Sequence, residues 1–195
     1  FFYNHITFWP DGKSVLVIED EILTRFDLKG KRIQSFKGHE DEITCFAFSP
    51  DEKYLITGSN DNTANIWDTA GQEIKTLEGH SDNVTAVYFS PDNKYILTGN
   101  ADDTAMLWDP DGNRIRTFML PDNGRLIAFS PDGKSIVSAR IGDSLRLLDL
   151  SGKVIKTFDE RFSENVFFPD EKSLLTIGAG IGGSSAKLWD IKSKE

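Results

Sequence analysis

One tripeptide returns along this chain at a nearly fixed interval, and that interval limits what the chain can fold into. Ser-Pro-Asp and its close variants stand at Trp9-Pro10-Asp11, Ser49-Pro50-Asp51, Ser90-Pro91-Asp92, Ser130-Pro131-Asp132 and Phe168-Pro169-Asp170. The prolines are 40, 41, 40 and 38 residues apart. A second signal keeps the same period. Phe26-Asp27, Trp67-Asp68, Trp108-Asp109, Leu148-Asp149 and Trp189-Asp190 set an aromatic residue or Leu before Asp. Three residues after each of the first four of these aspartates stands a glycine: Gly30, Gly71, Gly112 and Gly152. Registers that agree on one period are the mark of a tandem repeat. The 195 residues divide into five units, at about 1–38, 39–79, 80–119, 120–159 and 160–195, within a single domain spanning 1–195.

Inside a unit the pattern changes to period two. In the second unit, Ile43 to Phe48, Tyr54 to Gly58, Thr63 to Trp67 and Glu73 to Leu77 read as four short strands. Pro, Gly, Asn and Asp occupy each break, where turns need them. No helical stripe is sustained anywhere. Four antiparallel strands in about 41 residues make one blade of a β-propeller, so the predicted fold is all-β.

These residues resemble WD40 repeats. The second and third units carry the motif most fully: Gly38-His39, Ser59-Asn60-Asp61-Asn62-Thr63 and Trp67-Asp68, then Gly79-His80, Asn100-Ala101-Asp102-Asp103-Thr104 and Trp108-Asp109. The resemblance implies a buried hydrogen-bonded network in each of these units. His39, Asp61 and Trp67 would serve blade two, with Thr57 or Ser59 as the hydroxyl. His80, Asp102 and Trp108 would serve blade three, with Thr98 as the hydroxyl because Asn100 replaces the serine. The other units depart from the motif. Unit one has Phe26 for Trp and a shorter link at Asp20. Unit four has Leu148 for Trp, Gly142 for Asp, and Leu120-Pro121 in place of Gly-His. Unit five keeps Trp189 but has Glu160-Arg161 and Gly183 at the other positions. Blades four and five are expected to rely on apolar packing.

Other chemistries fit the sequence less well. His39, Ser59 and Asp61 are the residue types of a catalytic triad, yet they recur as a structural motif and no oxyanion loop accompanies them. Gly178-Ala179-Gly180-Ile181-Gly182-Gly183 matches a dinucleotide fingerprint literally, but a strand follows it where the pyrophosphate needs a helix. It reads as a flexible three-residue insertion between strands. Asn83-Val84-Thr85 is a glycosylation sequon with nothing to suggest secretion. Glu40-Asp41-Glu42 and Asp102-Asp103 do not follow calcium-loop spacing. Three histidines and the single Cys45 build no zinc site. One cysteine also points to a reducing compartment, such as the cytoplasm. The net charge of −9 argues against nucleic acid and anionic membrane as partners. No apolar run is long enough to cross a bilayer as a helix. No cofactor is expected.

Both ends read as cut. The first strand begins at Asn4, and unit five stops at Ile191 to Glu195 without a fourth strand. The expectation is an arc of five blades, the last incomplete, from a larger propeller whose other blades come from chain beyond these residues. WD40 rings resemble seven-bladed propellers most often. A compact five-bladed ring is the alternative. The expected function is a non-enzymatic scaffold or sensor that presents its loops to a protein partner or to another domain of the same polypeptide. Similar arrays are appended to bacterial caspase-like proteases and STAND-type NTPases. The enzymatic alternative places a small-molecule site in the central channel, although Phe46-Ala47-Phe48, Val87-Tyr88-Phe89, Ile127-Ala128-Phe129 and Val166-Phe167-Phe168 read as core. A partner patch is expected at Met119, Leu120, Arg140 and Ile141, extended by Arg161 and Ile181. There, apolar residues and arginine replace the motif that would tie the loops down.

Overall fold

The computed structural model describes residues 6–101, 103–120, 126–139, 144–158, 162–167, 173–180 and 183–190. Among them lie nineteen strands and no helix. Five antiparallel sheets follow one another along the chain. Blade one holds β1 (Ile6–Phe8), β2 (Ser14–Glu19), β3 (Ile22–Asp27) and β4 (Arg32–Lys37). Blade two holds β5 (Ile43–Phe48), β6 (Tyr54–Ser59), β7 (Ala64–Asp68) and β8 (Glu73–Leu77). Blade three holds β9 (Val84–Phe89), β10 (Ile96–Asn100), β11 (Thr104–Trp108) and β12 (Arg114–Met119). Blade four holds β13 (Leu126–Phe129), β14 (Ser135–Ala139), β15 (Leu145–Asp149) and β16 (Val154–Phe158). Three described strands make blade five: β17 (Phe162–Phe167), β18 (Ser173–Gly180) and β19 (Gly183–Asp190). Residues 191–195, where a fourth strand was expected to begin, lie outside the described residues.

The turns follow from their residues. Ser49 N–H bonds Tyr54 O at 2.9 Å, and the Ser49 hydroxyl donates to Asp51 at 2.7 Å, so Ser-Pro-Asp closes the β5–β6 hairpin. After β7, Gly71 N–H returns to Asp68 O at 3.1 Å while Gln72 N–H caps the Asp68 carboxylate at 2.8 Å. Gly71 sits at φ +86°, the left-handed conformation that closes a three-residue hairpin loop.

The core lies between blades, and each sheet feeds two layers of it. Leu55 and Trp67 pack toward blade one with Trp9, Leu16 and Phe36. Their strand neighbours Ile56 and Ile66 pack toward blade three with Val87, Ile96 and Trp108. Leu97 and Leu107 meet Ile127, Ile136 and Leu148 of blade four. Val137 and Leu147 meet Leu174 of blade five, with Trp189 packed alongside. Burial on both faces explains why the middle strands read as unbroken apolar runs.

One expectation fails. The glycine-rich stretch after Ile177 is not a loop insertion. Gly178, Ala179 and Gly180 pair with Ser185, Ser184 and Gly183, so both strands lengthen to eight residues.

Candidate functional site

The links between β2 and β3 and between successive blades emerge at one end of the sheets. Backbone bonds confirm the grouping: Ile43 N–H bonds Asp20 O at 2.8 Å, Asn60 N–H bonds Glu42 O at 2.9 Å and Ala101 N–H bonds Asn83 O at 3.0 Å. The polar network of blade two sits directly beneath these links.

That network is a relay of four side chains. The Trp67 indole N–H donates to Thr57 Oγ1 at 2.8 Å. Thr57 Oγ1 stands 2.7 Å from His39 Nε2, and His39 Nδ1 stands 2.8 Å from Asp61 Oδ2. An ionised carboxylate only accepts, so Nδ1 carries the proton, and Nε2 shares a hydrogen bond with the Thr57 hydroxyl. Asp61 also receives the Glu40 N–H at 2.9 Å, the Thr63 N–H at 2.9 Å and the Thr63 hydroxyl at 2.6 Å. Burial pushes the Asp61 carboxyl up, but the hydrogen bonds from Thr63, Glu40 and His39 outweigh it and hold it below its ordinary value. The relay therefore ties the blade-entering loop to the β6–β7 loop.

Ser59 takes a different part. Its hydroxyl donates to Asp41 O at 2.9 Å and receives the Asp61 N–H at 3.1 Å. Strand parity puts Thr57 and Ser59 on one face, and depth separates them, since only Thr57 lies level with the indole. With His39 Nε2 turned to Thr57, the His39, Ser59 and Asp61 set forms no nucleophile–base pair. In blade three, His80 Nε2 stands 2.7 Å from Thr98 Oγ1, and Trp108 donates to the same oxygen at 2.9 Å. Asp102 lies outside the described residues. The Thr63 hydroxyl and the Glu40 N–H, both on Asp61, escaped the sequence reading. Thr63 stands two residues beyond Asp61, the spacing of a local side-chain cap.

Two residues of the expected partner patch lie among the described residues. Met119 is 76% exposed, but Leu120 is 5% exposed and packs in the seam with Leu148 and Ile127. Leu120 occupies the position of Gly38, where an added Cβ would lie 2.9 Å from Trp67 Cη2. Leu148 is smaller than Trp67, and Leu120 fills the difference. Arg140, Ile141, Arg161 and Ile181 lie outside the described residues.

The inner strands are less closed than the sequence suggested. Ile127 and Val87 are buried, whereas Phe46, Ala47, Phe48 and Phe89 are half-buried and Tyr88 is exposed. The phenol of Tyr88 titrates above its ordinary value, mainly because its hydroxyl is desolvated. Burial pushes the Cys45 thiol up to about 11, so it is no thiolate at neutral pH. Among the described residues, no group of His, Cys, Asp or Glu is placed to hold a metal ion. No described helix is long and apolar enough to cross a membrane.

The charge is divided between the two ends of the blades. In the links 20–21, 38–42, 60–63, 78–83 and 101–103 the sequence has ten carboxylates, Asp102 among them, and no Lys or Arg. The opposite links of the same three blades, 9–13, 28–31, 49–53, 69–72, 90–95 and 109–113, have six carboxylates and five lysines.

Comparison with known proteins gives the same fold a family. An intraflagellar transport protein 122 homolog of Homo sapiens is 35% identical over 65 residues, covering 33% of this chain and 5% of the relative. A serine-threonine kinase receptor-associated protein of Bos taurus is 35% identical over 66 residues, covering 33% of this chain and 19% of the relative. A WD repeat and SOCS box-containing protein 1 of Danio rerio is 36% identical over 66 residues, covering 32% of this chain and 16% of the relative. The matched segments thus span between one-twentieth and one-fifth of these relatives. The family model described as the IFT122 first beta-propeller matches residues 3–195, nearly the whole length. With its WD motifs and four-stranded antiparallel blades, the chain belongs to the IFT122 first β-propeller family.

Proposed function

We infer that the chain is a non-enzymatic protein-binding platform, and that the loop face of blades one to three receives a basic segment of its partner. The charge division carries this reading. Ten carboxylates without a single Lys or Arg on one end, against near balance on the other, make a field that attracts cations and repels acidic surfaces. The His39–Asp61 relay holds part of that end in fixed geometry, as a docking surface requires. Any small-molecule chemistry in the channel would need converging polar groups, and the inner strands offer mainly aromatic and aliphatic side chains.

The family match makes intraflagellar transport proteins the first partners to test. Caspase-like and STAND-type signalling proteins, suggested by the repeat pitch, come second. We further propose that other blades complete the propeller and that the setting is cytoplasmic. The decisive experiment replaces Glu40, Asp41 and Glu42 with lysine and measures capture of an arginine-rich peptide. We expect binding that weakens at least tenfold in the variant and falls steeply with salt. Unchanged affinity in the variant would sink the loop-face reading.

A further inference from the structure

The outer edge of blade three is set apart by its two arginines and by Met119; an exposed isoleucine is common to the rims, with Ile33 at 53% and Ile74 at 51%, and β4 likewise lacks a carboxylate. β12 carries Arg114 and Arg116 and no carboxylate, and neither arginine has an ion pair among the described residues. On blade one, by contrast, Arg32 meets Glu19 at 3.1 Å. On blade two, β8 carries Glu73 with Lys75. Beside the two arginines of β12, Ile115 is 49% and Met119 76% exposed.

The surface continues onto blade four. An added Cβ on Gly152 would lie 2.9 Å from the Phe118 ring, so the β15–β16 turn leans directly on β12. Val154 and Ile155 follow at 41% and 53% exposure, and β16 also has no carboxylate. Asp149, at the foot of this turn, is occupied by the N–H groups of Ser151 and Lys153. In a chain of net charge −9, a basic and apolar rim runs against the composition. Among the described residues β12, like the other outer strands, pairs with a single neighbour, so the backbone groups of its far side are an open template for another strand.

We propose that β12 accepts an extended acidic segment of a partner protein as an added strand. Carboxylates of that segment meet Arg114 and Arg116, which the register shift at Ile115 puts on opposite faces of the strand, and its aliphatic side chains cover Ile115 and Met119. Main-chain bonds supply affinity in such strand addition, and alternating side chains supply selectivity. Arginine favours this role because its guanidinium binds carboxylate in a two-point geometry. The rim and the loop face are opposite in charge, so the two surfaces select different partner segments and neither reading depends on the other.

The test uses a labelled synthetic peptide of about nine residues, built of valine and glutamate with glutamates on both faces, the length of a long strand. Fluorescence anisotropy should show saturable binding to the chain. Binding should weaken at least tenfold in the R114E/R116E double variant. It should also disappear when alternate peptide amides are N-methylated, because strand addition needs those N–H groups. Both substitutions are on the surface, so the variant's melting temperature should match the parent's. The loop-face variant E40K/D41K/E42K should keep its affinity for this peptide. Three results overturn the proposal: no saturable binding, full affinity in R114E/R116E, or survival of binding after N-methylation. Self-association of R114E/R116E with peptide affinity intact would instead make the arginines guards against edge-to-edge pairing.

Discussion

In blade two, the Thr57 hydroxyl joins the Trp67 indole to His39 and so to Asp61. In blade four the same register position is Ser138, which pairs with Ile127 and Arg146 as Thr57 pairs with Phe46 and Asn65. Ser138 is buried, and its hydroxyl has no partner among the described residues. Leu148 replaces the indole, and Leu120 fills the space that Gly38 leaves open for Trp67. One repeat therefore closes its seam with directional bonds and the other with volume. A repeat array tolerates this because each blade contacts only its neighbours and each seam contributes its own interface energy. The difference also bears on the loops. Polar closure ties the loop entering blade two to the β6–β7 loop through Asp61, whereas apolar closure fixes only the buried end of β12.

The largest expected effect tests the apolar seam. Leu120→Ala removes a buried side chain between blades three and four and should cost about 2–5 kcal/mol. The mirror change, Gly38→Ala, forces a Cβ to within 2.9 Å of Trp67 and 2.3 Å of the Glu73 carboxylate. Glu73 can move aside and the packed indole cannot, so this change should cost roughly 1–3 kcal/mol. Calorimetry on the pair breaks the comparison if Gly38→Ala melts with the parent, for then the glycine is not making room for the tryptophan.

The polar seam comes next. Thr57→Val keeps the shape and deletes the hydroxyl, leaving the Trp67 N–H and His39 Nε2 without their partner. A loss of about 2–4 kcal/mol follows from two stranded buried groups. In a chain of this size each kcal/mol moves the melting temperature by about 2–4 °C. Ser59→Ala, whose hydroxyl bonds the backbone of Asp41 and Asp61 and no other side chain among the described residues, should cost clearly less. Equal losses would mean that the two hydroxyls share the burden.

A pH series sharpens the same seam. The Asp61 carboxyl titrates below its ordinary value in the folded protein, so its ionised form stabilises the fold. That contribution is complete above about pH 4 and is lost as pH falls through the lowered native value. Asp61→Asn should therefore melt below the parent at neutral pH, by about 1–3 kcal/mol. The gap should close as pH falls below about 4 through the lowered native value. The capped carboxylates of Asp51, Asp92, Asp109 and Asp149 are also lowered, but they are common to both proteins and cancel. A gap that persists at low pH would assign the loss to shape and not to charge.

Much of this was legible before the coordinates, for physical reasons. Turn chemistry repeats with the fold, so Ser49-Pro50-Asp51 and Asp68 to Gly71 marked the blades. Both-sided burial left apolar pairs such as Leu55-Ile56 where strands belong. The contents of a seam were harder to read, because they depend on depth and volume across two blades. Thr57 and Ser59 share a face, and only the level of the indole selects between them. Leu120 beside Met119 looked like a pair on one loop, yet adjacent residues at a strand end point to opposite sides. The arginines of β12 carried no motif at all, and their role became visible only when the strand proved to be an edge.

The smallest effect is the most diagnostic. Ser138 occupies the position that anchors the blade-two relay, but its hydroxyl is buried without a partner among the described residues. An unsatisfied buried hydroxyl costs free energy that a methyl group does not. Ser138→Ala should therefore leave stability unchanged or raise it by up to about 1 kcal/mol, a gain of at most a few degrees. The opposite signs of Thr57→Val and Ser138→Ala, at one register position in two blades, would establish that the hydroxyl matters only where a Trp and a His reach it. A fall in melting temperature for Ser138→Ala comparable to that of Thr57→Val would break the comparison. It would place a polar contact inside the blade-four seam and make the two blades variants of one design.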